Sequence, residues 1–184
     1  MTADGDASLR WEQLGGEVVF ECPGFVVRRD DVCLPDGAEG EYHHVAEPPA
    51  VVVLPFTPGG DVVTVAEWRQ AVGRVNRGIP AGSVEDGEEI EAAARRELRE
   101  ETGYEAESVR VVGAVEPANG VSDAVHHHVV ARGCTPTAAQ DLDDNESIRA
   151  ETRAYDDLLA AAVDGDLRDG RAVTALLRHE LTER

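Results

Sequence analysis

The stretch "ARRELREETGY" contains three glutamates close together, Glu97, Glu100 and Glu101. They are the side chains of this chain best suited to catalysis or metal binding. On a helix that turns about 100° per residue, Glu101 lies about 40° from Glu97, and Glu100 about 60° away on the other side. Carboxylates so close together repel one another. Their clustering reflects either the general acidity of the chain or a chemical task for the charge.

The acidic patch borders the face of this helix that is predicted to be buried. Ile90, Ala94 and Leu98 occupy the adjoining arc, whereas a solvated helix keeps its charges away from the core and mixes their signs. Carboxylates held together at a buried edge need a cation to offset their repulsion. Hard cations that prefer oxygen ligands, Mg²⁺ or alternatively Mn²⁺, fit this donor set best.

The limits of the helix are predicted from its capping signals. Asp86, followed three residues later by Glu89, predicts an acidic capping box, and Gly103 is placed to end the helix in a left-handed conformation. The sequence therefore predicts a helix over about residues 87–102.

The spacing of the residues around the patch is more specific than their charge. Gly82, Glu88 and the run Arg96 to Tyr104 fill every fixed position of the pattern G-x5-E-x7-R-E-U-x-E-E-x-G-U, where U is a bulky apolar or aromatic residue. This is the Nudix box, and the chain resembles the Nudix hydrolase superfamily. The resemblance implies an α/β fold, an α/β/α sandwich with a mixed sheet, that hydrolyses a nucleoside diphosphate linked to another moiety.

The resemblance also implies a role for each residue of the box. Glu97 and Glu101 would be the main metal ligands, together with the backbone carbonyl of Ala81. Glu100 would be a further ligand or would orient the attacking water, so it and Glu101 are also counted as catalytic. The remaining positions, with Arg96 and Glu88 as a charge-assisted pair, would be structural: Gly82, Glu88, Arg96 and Gly103.

Segments outside the box resemble the ADP-ribose pyrophosphatase branch of the superfamily. In "AEWRQAVGRVNRGIPAG", Arg69 matches an arginine that contacts the substrate phosphates and Trp68 takes an aromatic position. The loop "NGVSD", with Gly120 and Ser122, matches a loop over the terminal ribose. In "DDNESIRAETRAYDDLLAAAVDG", Glu146 matches the carboxylate that orients or deprotonates the attacking water.

Each of these assignments has a simpler alternative. Glu146 is one acid in the run "DLDDNE", and Asp144 could take its role. Arg69 could be a structural ion-pair partner, and Trp68 could belong to the core or to an interface. The triplet "HHH" at residues 126–128 does not favour a zinc site, because alternate residues of a strand face opposite ways.

The elements that must position these residues follow from runs of valine. Three runs between residues 17 and 45 predict a small antiparallel β-sheet. "AVVVLPF" and "DVVTVAEW" predict a hairpin of buried strands, "SVRVVGAVEP" and "AVHHHVVARGC" predict two further strands, and two apolar-periodic segments after residue 152 predict closing helices. The proposed domains are residues 1–46 and residues 47–184.

The resemblance gives the N-terminal sheet a function. In the matching branch this sheet packs across a two-fold axis and supplies residues that stack on adenine, which implies a homodimer. Tyr42 is the main candidate for stacking, and Phe25 and Arg28 are weaker candidates. A sheet that only stabilises the dimer is the alternative for each of them.

Composition excludes several classes of partner. The formal net charge is −20, and all 17 basic residues are arginine; such a surface repels nucleic acid and anionic membranes. The combination resembles proteins of halophiles that accumulate salt. Three widely spaced cysteines without a CxxC pair, and no apolar run of membrane-spanning length, predict a cytoplasmic protein with reduced thiols.

One departure from the branch concerns the metal cluster. The branch usually has a glutamate two residues before the proline of "PAG", and Gly78 stands there in this chain. The leading hypothesis is a Mg²⁺-dependent hydrolase that converts ADP-ribose to AMP and ribose 5-phosphate. The alternatives are hydrolysis of another nucleotide sugar, NADH or a diadenosine polyphosphate, and a nucleotide sensor without catalytic activity.

Overall fold

The computed structural model describes residues 7–183, which form two compact units. One unit contains the described residues up to Pro48 together with Ala118–Ala124. The other contains Pro49–Pro117 and the residues from Val125 onward. Among residues 7–183, no helix combines the length and the apolar character needed to cross a bilayer.

The first unit is a three-stranded antiparallel sheet, as the sequence predicts. Its strands, in the spatial order β1-β2-β3, are β1 (Glu12–Cys22), β2 (Phe25–Cys33) and β3 (Glu39–Ala46). The turn between β1 and β2 contains Gly24, whose φ is 100°. Glycine adopts this positive φ without the steric cost that other residues would have. The segment Ala118–Ala124 joins this sheet through hydrogen bonds from Val45 N to Val121 O (2.9 Å) and from Asp123 N to Val45 O (3.1 Å).

The second unit is built on a seven-stranded mixed sheet. Five strands follow one another in the order β12-β5-β4-β10-β9, with β4 and β10 parallel and the other neighbours antiparallel. Two short strands, β6 and β7, pair with β5 and β4. The strands of this sheet are β4 (Ala50–Phe56), β5 (Val62–Arg69), β6 (Arg74–Gly78), β7 (Ala81–Ser83), β9 (Ser108–Val115), β10 (His126–Arg132) and β12 (Ile148–Arg153), while β8 (Tyr104–Glu105) and β11 (Thr135–Pro136) pair separately.

Three helices cover the two sides of this sheet: α1 (Ile90–Thr102), α2 (Tyr155–Asp164) and α3 (Gly170–Glu183). Val51, Val53 and Val129 pack with Ala94 and Leu98 of α1. The alternate residues Val52, Leu54 and Val130 pack with Leu158 of α2 and Leu176 of α3. Alternation along buried strands thus produces two apolar layers, and the prediction of an α/β/α sandwich is confirmed.

The predicted hairpin of β4 and β5 is paired only next to its turn, at Phe56 and Val62. Beyond that point the two strands separate, and the segment from β6 to β7 lies between them. This segment pairs first with β5, bends at Ile79 and Pro80, and then pairs with β4. It places Ala81 and Gly82, which sequence analysis did not assign to a strand, in the middle of the sheet.

Helix α1 begins later than predicted. It starts at Ile90 with Glu89 as its N-cap residue, which makes no side-chain capping hydrogen bond, so the predicted capping box at Asp86 is wrong. The reason is Gly87, whose φ of 78° lies in the left-handed region and cannot continue a right-handed helix. The predicted stop is confirmed, because Gly103 is the left-handed C-cap with φ 74°.

Candidate active site

The first feature of the site is the close approach of Glu97 to strand β7. Glu97 is 9% exposed, and its carboxylate lies against Gly82. A Cβ atom added to Gly82 would overlap that carboxylate. The first glycine of the box is therefore needed because any side chain there would displace Glu97.

Glu101 is the most deeply buried carboxylate of the site. It is 3% exposed, and its Oε2 accepts a hydrogen bond of 3.1 Å from the backbone N–H of Ala81. Burial raises the pKa of Glu101 to about 8, with a further contribution from the negative charge of Glu97, while the Ala81 hydrogen bond opposes the shift. In the absence of a cation, this carboxyl group is therefore mostly protonated near neutral pH.

Arg96 connects the acidic residues of the box. Its Nη1 donates to Glu97 Oε1 (2.7 Å) and Glu100 Oε2 (3.1 Å), while Nε and Nη2 donate to the two oxygens of Glu88 (3.0 and 2.9 Å). Nη2 also donates to Ser83 O (2.8 Å). The hydrogen bond from Arg96 lowers the pKa of Glu88. The pairing of Arg96 with Glu88 expected from the sequence is thus present, and the same guanidinium also holds Glu97 and Glu100.

Glu67 is a buried carboxylate of the site that sequence analysis missed. It lies near the end of β5 and is 9% exposed. Burial raises its pKa, and the nearby arginines Arg69 and Arg171 oppose the rise. The available signal was an acidic residue at the end of the otherwise apolar run "VVTVAE", where a buried charge would need a partner.

The two candidates next to Glu67 are placed differently. Arg69 forms an ion pair with Glu67, with Nη2 2.7 Å from Oε2. In this structure Arg69 is therefore placed as the structural ion-pair partner that the sequence left open as an alternative to substrate binding. Trp68 is 49% exposed, and its Nε1 donates to Gln70 Oε1 (2.9 Å). Trp68 is therefore not a core residue, and its ring is available at the surface of this unit.

The loop that carries Glu146 is attached to the C-terminal end of α1. Gln140 Nε2 donates to the backbone O of Glu101 (2.5 Å), and Asp141 N donates to Glu100 O (2.9 Å). Gly103 allows this attachment, because a Cβ atom there would collide with the backbone O of Ala138. Residues 138–141 thus bring the loop to the glutamates of the box.

Glu146 itself closes a turn within this loop. Its Oε2 accepts a hydrogen bond from Asp143 N (3.1 Å), and its backbone N donates to Asp143 O (2.9 Å). Its negative charge contributes to raising the pKa of Glu67, Glu97 and Glu101. Glu146 is therefore close enough to the site for its charge to act on all three buried carboxylates.

Three of the predicted substrate-binding residues meet in the first unit. Tyr42 Oη donates to Gly120 O (2.8 Å), and Ser122 Oγ donates to Glu47 Oε1 (2.7 Å). The ring of Tyr42 stacks near His44, with centroids 6.1 Å apart, and meets Trp11 edge to face at 5.8 Å. The structure therefore brings Tyr42, Gly120 and Ser122 together around the loop Ala118–Ala124.

The other two candidates of the first unit lie on β2. Phe25 is 39% exposed and lines a cavity of about 370 Å³ together with Glu47 and Asp123. Arg28 lies opposite Val18 of β1 and His44 of β3, and it does not line this cavity. Phe25 is thus beside a space that could hold an aromatic group, whereas Arg28 is placed in the middle of the sheet.

The donor atoms of the second unit fit a hard divalent cation. Glu67, Glu97 and Glu101 are buried oxygen donors whose charges repel one another, which a bound cation would relieve. Within residues 7–183, however, no three acidic, histidine or cysteine side chains stand close enough together to form a complete coordination site. Arg96 engages Glu97 and Glu100 instead, so binding a cation would require these side chains to adjust.

Comparison with known proteins agrees with these observations. The sequence profile of the NUDIX domain family matches residues 46–175. The chain is 30% identical over 177 residues to an ADP-ribose pyrophosphatase of Bacillus subtilis, covering 96% of each chain. It is 32% identical over 168 residues to a methanol dehydrogenase activator of Bacillus methanolicus, covering 91% of each.

The fold has a counterpart among solved structures. The crystal structure of an ADP compounds hydrolase superposes with a TM-score of 0.82 and covers 94% of each chain, at 22% sequence identity. At that identity the likeness establishes the fold alone.

Proposed function

This chain belongs to the NUDIX domain family, and from that premise we propose that it is a metal-dependent pyrophosphohydrolase. The proposed substrate is ADP-ribose, which it would split into AMP and ribose 5-phosphate. The observation that carries the proposal is the pair of buried glutamates on α1, one packed on Gly82 and the other bound to the backbone of Ala81. Burial of two neighbouring carboxylates is unfavourable unless positive charge lies beside them, and a bound cation would add to the charge that Arg96 already supplies.

The metal would be Mg²⁺, with Mn²⁺ as a substitute, held by Glu97, Glu101 and the carbonyl of Ala81, with Glu100 as a further ligand. When bound, a divalent cation neutralises the charge of the diphosphate and lowers the pKa of water. Glu97 and Glu101 are suited to this because they lie on the same side of α1. Arg96 would keep Glu97 and Glu100 oriented by hydrogen bonds while carboxylate oxygens of these residues bind the metal.

The reaction adds one water across the phosphoanhydride. The water oxygen forms a bond to one phosphorus, the bond from that phosphorus to the bridging oxygen breaks, and two phosphomonoesters result. Glu146 would accept the proton of the water, since its loop is attached to the end of α1. Arg69 would turn from Glu67 to the substrate diphosphate, and Trp68 offers an exposed ring beside it.

The first unit would bind the nucleoside and a second copy of the chain. Tyr42 and Phe25 are the aromatic candidates for stacking on the base, and Gly120 and Ser122 lie in the loop next to Tyr42. Strand β1, at the edge of its sheet, and the residue before it expose a set of large apolar side chains that a partner would cover: Trp11, Leu14, Val18, Val19 and Phe20. We therefore propose a homodimer, and a cytoplasmic location in keeping with three free cysteines.

Turnover of a nucleotide panel with and without Mg²⁺ tests the proposed function. The panel contains ADP-ribose, a second nucleotide sugar, NADH and a diadenosine polyphosphate, and the products are separated by chromatography. The proposal predicts metal-dependent formation of AMP and ribose 5-phosphate, with ADP-ribose showing the highest kcat/KM. Tight binding of ADP-ribose without any turnover would instead favour a sensor, and preference for another nucleotide would change the substrate.

The homodimer has its own test. The mass in solution, measured by light scattering after size-exclusion chromatography at molar salt, should be twice the 19.7 kDa of the chain. Replacing Val18 and Phe20 with arginine should give a monomer that remains folded, because both side chains are exposed in the single chain. A monomeric unmodified protein would contradict the proposal.

A further inference from the structure

An ion pair fills the space beside Gly78. A Cβ atom built on Gly78 would lie 3.0 Å from Oδ2 of Asp169, which is closer than ordinary contact. Asp169 is 8% exposed, and its Oδ2 accepts a hydrogen bond of 2.9 Å from Arg171 Nη2. Its Oδ1 accepts the backbone N–H groups of Arg171 (2.9 Å) and Ala172 (3.2 Å). A side chain at position 78 would therefore press against Asp169, and the ion pair would have to shift to admit it.

The ion pair lies on the same side of the sheet as Glu67. Asn76 and Gly78 are two residues apart on β6 and project to the same side, and Glu67 lies directly opposite Asn76 in the pairing of β5 with β6. Asn76 Nδ2 reaches Asp169 Oδ2 at a long 3.5 Å. The strand register therefore places the side chain of Glu67 next to Asn76, which contacts Asp169.

The charge of Arg171 acts on the buried carboxylates. Burial alone would lower the pKa of Arg171, yet its hydrogen bond and ion pair with Asp169, followed by the charges of Glu101 and Glu67, raise it. In the other direction, Arg171 counteracts the rise that burial causes in the pKa of Glu67. Arg171 is hydrogen-bonded to Asp169, which contacts Asn76 directly opposite Glu67 in the sheet, so geometry as well as charge places its guanidinium near the buried carboxylates.

We propose that Arg171, held by Asp169 in the space left by Gly78, is a positioning residue that acts as a resident counter-cation for Glu67 and Glu101. The guanidinium stabilises these carboxylates in the metal-free protein and competes electrostatically with a divalent cation for them. Gly78 is needed because it leaves room for Asp169. Where a glutamate at this position would add an unpaired negative charge, the space here holds a carboxylate neutralised by a guanidinium. This inference rests on the proposed metal site.

Calorimetric titration of Mg²⁺ into Arg171→Gln and Asp169→Asn tests the inference, together with melting in EDTA. Arg171→Gln removes the competing positive charge, so it should bind Mg²⁺ roughly tenfold more tightly and melt at a lower temperature in EDTA. Asp169→Asn leaves the positive charge but removes a negative one, so it should bind Mg²⁺ more weakly. Arg171→Lys keeps the charge and should bind Mg²⁺ with nearly unchanged affinity.

Arg110→Gln is the matched control, because Arg110 is also ion-paired, to Glu183, but lies on β9 at the opposite end of the strand order. Its affinity for Mg²⁺ should equal that of the unmodified protein. Equal Mg²⁺ affinity in the unmodified protein, Arg171→Gln and Asp169→Asn would overturn the inference while leaving the proposed function intact. If Arg171→Gln does not fold in EDTA, two results still decide. Folding of this variant on addition of Mg²⁺ supports the inference, and unchanged Mg²⁺ affinity of Asp169→Asn overturns it. No binding of Mg²⁺ or Mn²⁺ by the unmodified protein would refute both proposals.

Discussion

Glu101 and His128 are both buried ionisable side chains, and they belong to opposite sides of the seven-stranded sheet. Glu101 is on α1, whereas His128 alternates with Val129 and so shares the side of Val130, which α2 and α3 cover. Glu101 has a backbone donor, and Arg171 and further carboxylates lie near it. Both ring nitrogens of His128 are buried without a hydrogen-bond partner.

The different surroundings of Glu101 and His128 show when a buried ionisable side chain indicates a function. Burial, and to a smaller extent the nearby positive charge of Arg178, lowers the pKa of His128 to about 4, so the ring is neutral at physiological pH. It therefore packs as an uncharged group. At Glu101 the Ala81 amide and the charge of Arg171 favour the ionised form, and a bound cation would favour it further. Surroundings that provide charge partners, more than burial itself, distinguish a reactive site from core packing.

Removing a carboxylate from the cluster should have the largest effect. Glu101→Gln should lower metal-dependent kcat/KM by at least roughly 100-fold, since a ligand and its charge are lost. The rise in melting temperature on adding Mg²⁺ should also disappear. Glu91→Gln, on the exposed face of the same helix, is the control and should retain full activity. Undiminished hydrolysis by Glu101→Gln would show that this cluster is not the catalytic site.

The loop carboxylate should rank next. Glu146→Gln should reduce kcat by roughly 100-fold with little change in KM, because it would affect proton transfer without removing a metal ligand. Asp144→Asn, two residues away in the same exposed loop, serves as the matched variant and should remain within a factor of about three of the unmodified protein, as expected for a residue outside the proton transfer. The reverse pattern would assign the role to Asp144, the alternative that the sequence left open.

Loss of the supporting arginine should have a smaller effect. Arg96→Gln should weaken Mg²⁺ binding or activity by roughly 10- to 100-fold, because Glu97 and Glu100 lose the group that orients them. Arg96→Lys keeps the charge but cannot reach three carboxylates at once. Its activity should therefore lie between that of Arg96→Gln and that of the unmodified protein. Activity of Arg96→Gln equal to that of the unmodified protein would contradict the orienting role.

The pH dependence of stability should differ between the two regions. Because the folded pKa of Glu101 is raised to about 8, the folded protein binds its proton more tightly, and metal-free stability should fall as pH rises from about 4.5 to 8. Melting temperatures in EDTA should therefore decrease over this range, and saturating Mg²⁺ should reduce the decrease. A metal-free melting temperature that rises steadily across this range would contradict the assignment.

His128 should cause a smaller change of the opposite sign. Its folded pKa of about 4 lies below the unfolded value of about 6.5, so its contribution to stability is present above pH 6.5 and is lost as pH falls towards 4. His128→Leu should remove this acid sensitivity and change the free energy of unfolding at pH 7.5 by less than about 1.5 kcal/mol. Calorimetric melting of both proteins between pH 4 and 7.5 measures it, and identical pH profiles would refute it.

The elements whose pattern is local were predictable from the sequence. The stop of α1 at Gly103, the three N-terminal strands and the two closing helices were all predicted, because each depends on residues that are close together in the chain. The start of α1 was not, since the left-handed conformation of Gly87 overrides the capping pattern around Asp86. Strands β7 and β12 were missed because their pairing partners are distant in sequence, and β6 because its sequence "RVNRG" has almost no apolar pattern.

The family of the chain and the side of the helix that carries its acidic residues both follow from one spacing in the sequence, that of Glu88, Arg96, Glu97, Glu100 and Glu101. Helical periodicity is local, and for that reason the pattern could be identified without a structure. The packing of distant segments is what makes Gly82 leave room for Glu97, brings Glu67 to the site and sets Asp169 and Arg171 beside Gly78. These contacts join residues 15 to 93 positions apart in the chain, and they arise only when the strands and helices pack together.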